Sequence, residues 1–533
     1  MSARIARRVG LAAMLLFGAG TASQAQTTVG DSLWQLGRTD EARLAYERAI
    51  GDDRNAVRAN FRLAQLLAWH SNVDSALVLL RSARHRLPDD PDLLFTEATY
   101  LSWAKRWPEA LVRYDSIIAA HPDFDYVRNA RARTLSWAGR LAEARAGYDE
   151  ILRHAPADRD AGIGRAQVSA WSGDLNGAAQ RYEALLADDP GDPRVLMGLA
   201  SVRSWLGRPA TALRLLDRAE ARAKGDADVA TVRKAVRESS APSVDATQYY
   251  SDDTDGNVNR WRVANARAFA GNARGTFTAG TLEATDPRRD SRRIMLEGTV
   301  AAPVGIVMLT GALGVRQLSP SWRAPAGEPV TPDRSVITWR AGVSGTLAPR
   351  LTGSLTFSHW PFDEIASLLG GRLDITQEDA SLEWRMASKG SVALGASHLA
   401  FSDHNARSGG TVRVTQPLAH GFSVGAFAIG FGYAEKKSLY FSPAAFRAAE
   451  ATAGWSRETP AWSAGISGGY GRQRVTSGQP IQEQWHLDAR AAVRLSATLR
   501  LELFGGRSTS AAASAVGAYR YDLLGLTLRY RRP

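Results

Sequence analysis

Residues 335–360 read SVITWRAGVSGTLAPRLTGSLTFSHW. Taken two at a time, Ile337, Trp339, Ala341, Val343 and Leu347 fall on one face, and Thr338, Arg340, Ser344 and Thr346 on the other. After Ala348-Pro349-Arg350 the alternation restarts, with Leu351, Leu355 and Phe357 set against Thr352, Ser354, Thr356 and Ser358. A period of two is the mark of a strand, and two such strands joined by a short Pro-containing link predict a hairpin. The next link is long and polar, the one after it short, and this alternation continues to the C-terminus. Strands of about ten residues, apolar outward and polar inward, with alternating short and long links, predict an outer-membrane barrel rather than a soluble sandwich.

Extended in both directions, the same reading divides 243–533 into sixteen antiparallel strands, from Val244–Asp252 to Ala515–Tyr530, the shortest being Thr411–Gln416. Gly271-Asn272, Ala302–Gly305, Ala348–Arg350, Ser388–Gly390, Leu418–Gly421, Thr459–Ala461 and Ser496-Ala497 form short turns. Ser319–Arg334, Pro361–Arg372 and Lys436–Ala445 are long links. An even strand number returns both ends of the barrel to one side, and sixteen strands leave room for an aqueous channel. Charges facing lipid near the midplane would cost about 2–4 kcal/mol each for Arg, so the charged rows are assigned to the lumen. These are Arg293 and Glu297; Arg340; Asp379, Glu383 and Arg385; Arg413; His486, Asp488, Arg490 and Arg494; and Arg500 with Glu502. Trp261, Trp339, Trp384, Trp455 and Trp485 are candidates for an interfacial aromatic girdle.

The start of the chain sets the compartment. Met1–Ala25 has the layout of a secretory signal peptide: basic Arg4, Arg7 and Arg8, the apolar run Val9–Gly18, and small residues at Ser23-Gln24-Ala25. The chain is therefore expected to be exported and to lie in the cell outer membrane. It has no cysteine, which excludes disulfides and thiolate chemistry. The net charge is +12, but Arg is interspersed with acids along the whole length, so no clustered basic patch points to nucleic acid. His359, His398, His404 and His420 lack metal-ligand spacing. His486 with Asp488 has no evident nucleophile beside it, and there is neither a Gly-x-Ser-x-Gly elbow nor a phosphate loop. No enzyme activity, cofactor or metal is expected.

Residues 30–240 carry a strict repeat. Trp69, Trp103, Trp137, Trp171 and Trp205 are each 34 residues apart, as are Pro88, Pro122, Pro156 and Pro190, and Ala76, Ala110, Ala144, Ala178 and Ala212. Tyr114, Tyr148 and Tyr182 keep the same step, and Gly37, Ala42 and Tyr46 extend the frame backward. A 34-residue period is the tetratricopeptide length. It predicts about six helix pairs and a capping helix at Asp226–Arg237, stacked as a solenoid. Stacked indoles can bind sugars, but a strict period at a packing position predicts that the tryptophans fill the core of each repeat. The solenoid is expected to dock partner proteins of the periplasm or inner membrane.

Tetratricopeptide repeats followed by a sixteen-stranded barrel resemble the bacterial exopolysaccharide exporters, namely the outer-membrane cellulose exporters of the cellulose synthase system and the poly-N-acetylglucosamine porins. The most specific local match is Tyr440-Phe441-Ser442-Pro443-Ala444-Ala445-Phe446, which is similar to a Tyr-Phe-Ser-Pro-x-x-aromatic segment in the cellulose exporters. Ser-Trp-Ala-Gly-Arg at 136–140 is similar to their Trp-x-Gly repeats. The chain also resembles the YaiO-type outer-membrane barrels. The resemblance implies a conduit for a secreted polysaccharide, with a glycan in the barrel and outer-membrane lipid around it. A general porin or a structural assembly protein is the alternative. Tyr440, Phe441, Ser442 and Pro443 are then candidates for a loop folded into the pore mouth, or a Pro-fixed lead into the next strand.

Overall fold

The computed structural model describes residues 22–53, 56–322, 331–386, 389–476, 478–513, 517 and 520–532. Most of the expected leader, residues 1–21, lies outside them, as do parts of the expected links 319–334 and 388–390. The chain divides into two compact units.

Helix pairs make up the first unit, 1–202 with 215–232, and their last members reach into the second, 203–214 with 233–533. Ala22–Gln35 pairs with Thr39–Asp52, Val57–Trp69 with Val73–Arg84, and Pro91–Trp103 with Trp107–Ala120. Asp125–Trp137 pairs with Leu141–His154, Arg159–Trp171 with Leu175–Asp188, and Pro193–Trp205 with Pro209–Arg222; Ala227–Ser240 follows. The sequence explains each turn. Gly37, Gly139, Gly173 and Gly207 hold φ between +73° and +88° at the link within a pair, a region that residues without a Cβ enter freely. Ser71 and Lys105 take the same left-handed conformation in the two pairs without glycine. Asn72, Asp90, Asp158 and Asp174 cap the helices that follow them by accepting backbone N–H groups. Ala42, Ala76, Ala110, Ala144, Ala178 and Ala212 are all fully buried, and Tyr46, Tyr114, Tyr148 and Tyr182 are buried beside them.

The tryptophans depart from expectation. Trp69, Trp171 and Trp205 are 53%, 39% and 55% exposed, while Trp103 packs partly against the core and Trp137 is half-buried. The alanine and tyrosine rows already fill the space between helices, so the indoles at the ends of the first helices project outward. They are not the core of each repeat.

The second unit is a closed barrel of sixteen antiparallel strands in sequence order, β16 pairing with β1. The strands are β1 Ser243–Asp253, β2 Val258–Ala270, β3 Ala273–Asp286, β4 Arg289–Val304, β5 Val307–Ser319, β6 Arg334–Ala348, β7 Leu351–Pro361 and β8 Asp374–Arg385. They continue as β9 Ser391–Phe401, β10 Ala406–Pro417, β11 Phe422–Tyr433, β12 Phe446–Glu458, β13 Trp462–Val475, β14 Gln482–Arg494, β15 Leu499–Ser508 and β16 Tyr521–Arg531. Two differ clearly from the sequence reading. β10 begins five residues before Thr411, because Gly409 and Gly410 continue the strand where the neighbouring backbone crowds them. A Cβ at Gly409 would meet the Phe431 Cβ at 2.5 Å. β16 is described from Tyr521; of the expected start at Ala515, residues 515, 516, 518 and 519 lie outside the described residues, and Ala511–Ala513 before them forms a short 3₁₀ turn with Ala511 buried.

The outer wall is apolar along every sector. Leu296, Leu313, Ile337, Leu355, Leu394, Val412, Leu487, Leu503 and Leu526 are exposed on it, as a lipid-facing surface requires. No described helix is long and apolar enough to cross a membrane.

Candidate functional site

Strand parity assigns the inner wall. On β14 the register sets His486 opposite Gly469 and Asp488 opposite Ser467 and Gly506, with Leu487, Ala489, Ala491 and Val493 on the other face. His486 lies 3.2 Å from the Glu450 carboxylate of β12 and 3.8 Å from Asp488. Arg490 and Arg494 follow on the same inward row. Arg494 stands opposite Arg500, whose guanidinium donates to the Ser463 hydroxyl at 2.6 Å. Glu502 is two residues further along β15, opposite Ala492 and Thr527. Glu297 and Arg340 approach to 3.7 Å, and Glu383 and Arg385 to 3.5 Å. Arg413 lies over the Phe427 ring at 4.9 Å, and Asp379 accepts both bonds from the Gln377 amide. Among the described residues, no three His, Asp or Glu side chains are placed to hold a metal.

Trp261 needs correction. It is not a girdle residue: its ring stacks on Tyr249 at 5.2 Å and carries the Arg293 guanidinium at 4.4 Å. It shares parity with Asn259, Asn265 and Arg267, the polar row of β2.

The link between β7 and β8 is the main element that sequence reasoning missed. It closes on itself through Phe362 N–H to Leu373 O at 2.8 Å, then turns into the barrel as the short helix Ala366–Gly370. Asp363, 2% exposed at its side chain, is held by Arg293 of β4 at 2.8 Å and Arg316 of β5 at 2.9 Å. Asn259 of β2 donates to the Glu364 carbonyl at 3.1 Å, and Ser291 of β4 to the Ala366 carbonyl at 3.3 Å. A loop rooted on β7 and β8 is therefore fastened to β2, β4 and β5 inside the barrel. Its apolar side supplies Leu369, against Leu282 and Leu318, and Ile365 and Leu368, against Ile375 and Leu399. The signal was present in the sequence: Phe362, Ile365, Leu368 and Leu369 recur at helical spacing in a link that should otherwise be polar.

The Tyr440 segment folds inward from β11 and β12. The Tyr440 hydroxyl accepts from Asn405 Nδ2 at 2.8 Å and donates to Asp403 Oδ2 at 3.1 Å. Its ring stacks on Phe401 at 5.1 Å and meets Phe362 edge-on at 5.7 Å. Phe441 packs between Phe431 and Phe446. The Ser442 hydroxyl accepts from Lys437 N–H at 2.7 Å, and the Pro443 carbonyl accepts from Tyr433 N–H at 3.0 Å. The two inward segments thus share one aromatic cluster.

Behind that cluster lies a cavity of about 480 Å³. Its rings are Trp360, Phe362, Phe401, Phe431, Tyr433 and Phe441, and its polar groups include Glu364, Gln377, Asp379 and Arg407. The Arg407 guanidinium sits over Phe431 at 5.1 Å and Tyr433 at 5.9 Å. A second cavity of about 220 Å³ shares Trp360 and Asp379 and adds Glu297, Arg316 and Arg340. Ring faces beside fixed donors and acceptors suit a ligand with apolar faces and hydroxyl edges.

Tetratricopeptide-repeat family profiles match residues 29–91 and 172–236. No curated protein matches the chain. Among solved structures, the chain is similar to a bacterial polysaccharide outer membrane secretin at 11% identity, over 55% of this chain and 99% of that one, with a TM-score of 0.43. It is similar to a tetratricopeptide repeat protein from Parabacteroides merdae at 15% identity, over 41% and 86%, with a TM-score of 0.37. It is also similar to CdiB from Acinetobacter baumannii at 11% identity, over 54% and 60%, with a TM-score of 0.38. With helix pairs that match the repeat profiles and a strand wall that is greasy outside and charged within, the chain carries tetratricopeptide repeats followed by a closed sixteen-stranded barrel of the outer-membrane type.

Proposed function

We infer that the barrel is a passive conduit through the outer membrane for a secreted polysaccharide, and that the repeats stand in the periplasm and dock proteins that make or modify the polymer. The observation that carries this reading is the ring-lined cavity behind the two inward segments. A pyranose has apolar faces that stack on Trp, Phe and Tyr, and hydroxyl edges that bond to Gln377, Asp379, Glu364 and Arg407. The conduit does no chemistry of its own. Deleting the gene should abolish polymer at the cell surface while synthesis continues; unchanged surface polymer would refute the reading.

The mixed-charge wall favours a second reading, a porin for small solutes, since Glu297 with Arg340 and His486 with Asp488 can brace an open aqueous pore. Conductance separates the two. A steady open current selects the porin, and a low current that rises when the inward segments are released selects the exporter.

A further inference from the structure

The tryptophans pack only in part: Trp69 meets Trp34 edge-on at 5.0 Å, and Trp103 lies beside Tyr100 at 5.1 Å and against the core. Three of its five indoles are more than a third exposed and the other two are half-buried, yet the 34-residue step never slips between Trp69 and Trp205. One turn earlier, on the same face of each helix, stand Gln65, Thr99, Arg133, Gln167 and Ser201, again 34 apart and partly exposed. Thr99 already bonds the Phe95 carbonyl and the Tyr114 hydroxyl, and Ser201 the Met197 carbonyl, so the longer side chains Gln65, Arg133 and Gln167 are the ones that stand beside an indole. The two rows contain one cation and no carboxylate. Beyond the turns, Arg106 is tied to Glu109 and Arg140 to Glu143 of their own helices at 2.5–2.7 Å, and Lys105, two residues after Trp103, is an exposed cation. The helices Pro91–Trp103, Asp125–Trp137 and Arg159–Trp171 touch in turn. That contact fixes the step between indoles at roughly 10 Å, about two pyranose rings of an extended chain.

We propose that this file, from Trp69 to Trp171, is a binding track for an uncharged polysaccharide strand, each indole stacking on the apolar face of a sugar ring while Gln65, Arg133 and Gln167 bond ring hydroxyls. Charge complementarity selects the occupant. A polyanion would need a cation at every step and a polycation an acid; the rows supply one cation, Arg133, and no acid. Only the identification of the polymer as a polysaccharide rests on the conduit reading; the track adds a direct contact with the polymer to the docking role of the repeats.

The test uses the full chain in detergent, run by affinity electrophoresis through native gels containing hydroxyethyl cellulose, alginate or chitosan. The neutral polymer should retard the parent protein. The combined Trp69→Ala, Trp137→Ala and Trp171→Ala variant should weaken retardation at least tenfold, with helical circular dichroism and the heat-shifted mobility of the barrel unchanged. A second variant, Gln65→Ala with Gln167→Ala, keeps every indole and should weaken it about threefold, so the proposal stays testable if the triple variant does not fold. No retardation of the parent protein, equal retardation of the folded variants, or retardation by alginate or chitosan alone would overturn the track. The conduit is read separately, from surface polymer in the deletion strain. Retardation with unchanged surface polymer sinks the conduit alone, and lost surface polymer with an unretarded parent sinks the track alone.

Discussion

Asp363→Ala tests whether the inward loop is held in place by its ion pairs. The Asp363 carboxylate and the Arg293 side chain are 2% and 4% exposed, and Arg316, at 2.9 Å, is 19% exposed. Removing the carboxylate leaves a buried guanidinium without its counter-charge, which costs about 3–5 kcal/mol. At 1.4 kcal/mol per factor of ten, that favours the undocked loop by between about a hundredfold and a few thousandfold. Arg316→Gln keeps the shorter Asp363–Arg293 pair and removes a partly solvated partner, so its effect should be about tenfold or less. Single-channel recording in planar bilayers reads the difference as the fraction of time spent at high conductance. Because the chain has no cysteine, Ser291→Cys with Ala366→Cys places thiols where the Ser291 hydroxyl now bonds the loop. Oxidation of that pair in the Asp363→Ala background should return the channel to its low state. Equal conductance of parent and Asp363→Ala, a larger effect from Arg316→Gln, or a crosslink that leaves the open state untouched would refute the latch.

Three further outcomes follow from the same structure. A Cβ at Gly471 would sit 1.9 Å from the Ala449 carbonyl on the paired strand, so Gly471→Ala should cut the yield of heat-modifiable folded barrel several-fold on gels, whereas Gly478→Ala, at an open position, should not. Leu487→Arg puts a charge on the lipid face and should cost about 2–4 kcal/mol if the position lies near the bilayer midplane, measured by urea titration in vesicles; the inward Arg490→Leu should cost less. In the repeats, burial alone would raise the Asp192 pKa, but the Arg159 guanidinium at 2.6 Å and the N–H groups of Arg194 and Val195 reverse this and hold it below the ordinary carboxylate value of 3.8. A depressed folded pKa contributes stability above the unfolded value, lost as pH falls through the folded one. Helical circular dichroism of the parent should therefore show an acid-destabilising component beginning near pH 4 that Asp192→Asn lacks.

The faces of the strands are legible in the sequence because lipid enforces them. Leu487, Ala489, Ala491 and Val493 can only face outward if His486, Asp488 and Arg490 face water, and a period of two leaves no third choice. Trp261 misleads by residue type: an aromatic near a strand end suggests a girdle, but the Asn259, Asn265 and Arg267 on its own parity mark the lumen. The start of β10 is hidden because Gly409-Gly410 looks like a break, while the close approach of Phe431 makes glycine the residue that the ladder tolerates there. The inward loop is hidden for a different reason. Periodicity predicts that 362–373 has an apolar side, but its partners Arg293, Arg316 and Asn259 lie 47 to 105 residues away in sequence, and only the closed barrel brings them together. The tryptophan spacing marks an equivalent position in every repeat without deciding whether it faces core or solvent.

The inner wall is divided along its axis, and this follows from where each strand spends its rings and its charges. Trp261, Trp360, Phe401, Phe431 and Tyr433 lie at one rim, the one that carries the long links 320–333, 362–373 and 434–445. Glu383, Arg385, Arg494 and Arg500 lie at the opposite ends, beside the short turns, and Arg529 pairs there with Asp245 at 2.7 Å. Charges at the turns keep that half wet, because an ion in a lumen this wide retains its water more cheaply than it sheds it. The rings at the other half can be covered only by chain, and the two inward segments cover them. A solute crossing from the short turns therefore stays hydrated until it meets Trp360 and Phe362, where it must exchange water for ring faces and displace the segments that occupy them. Charge stands at both rims, since Arg407 lies over Phe431 and Tyr433, so Arg494, Arg500 and Arg407 should all bear on ion preference, while Phe362, Phe431 and Tyr440 should govern which solutes block the pore.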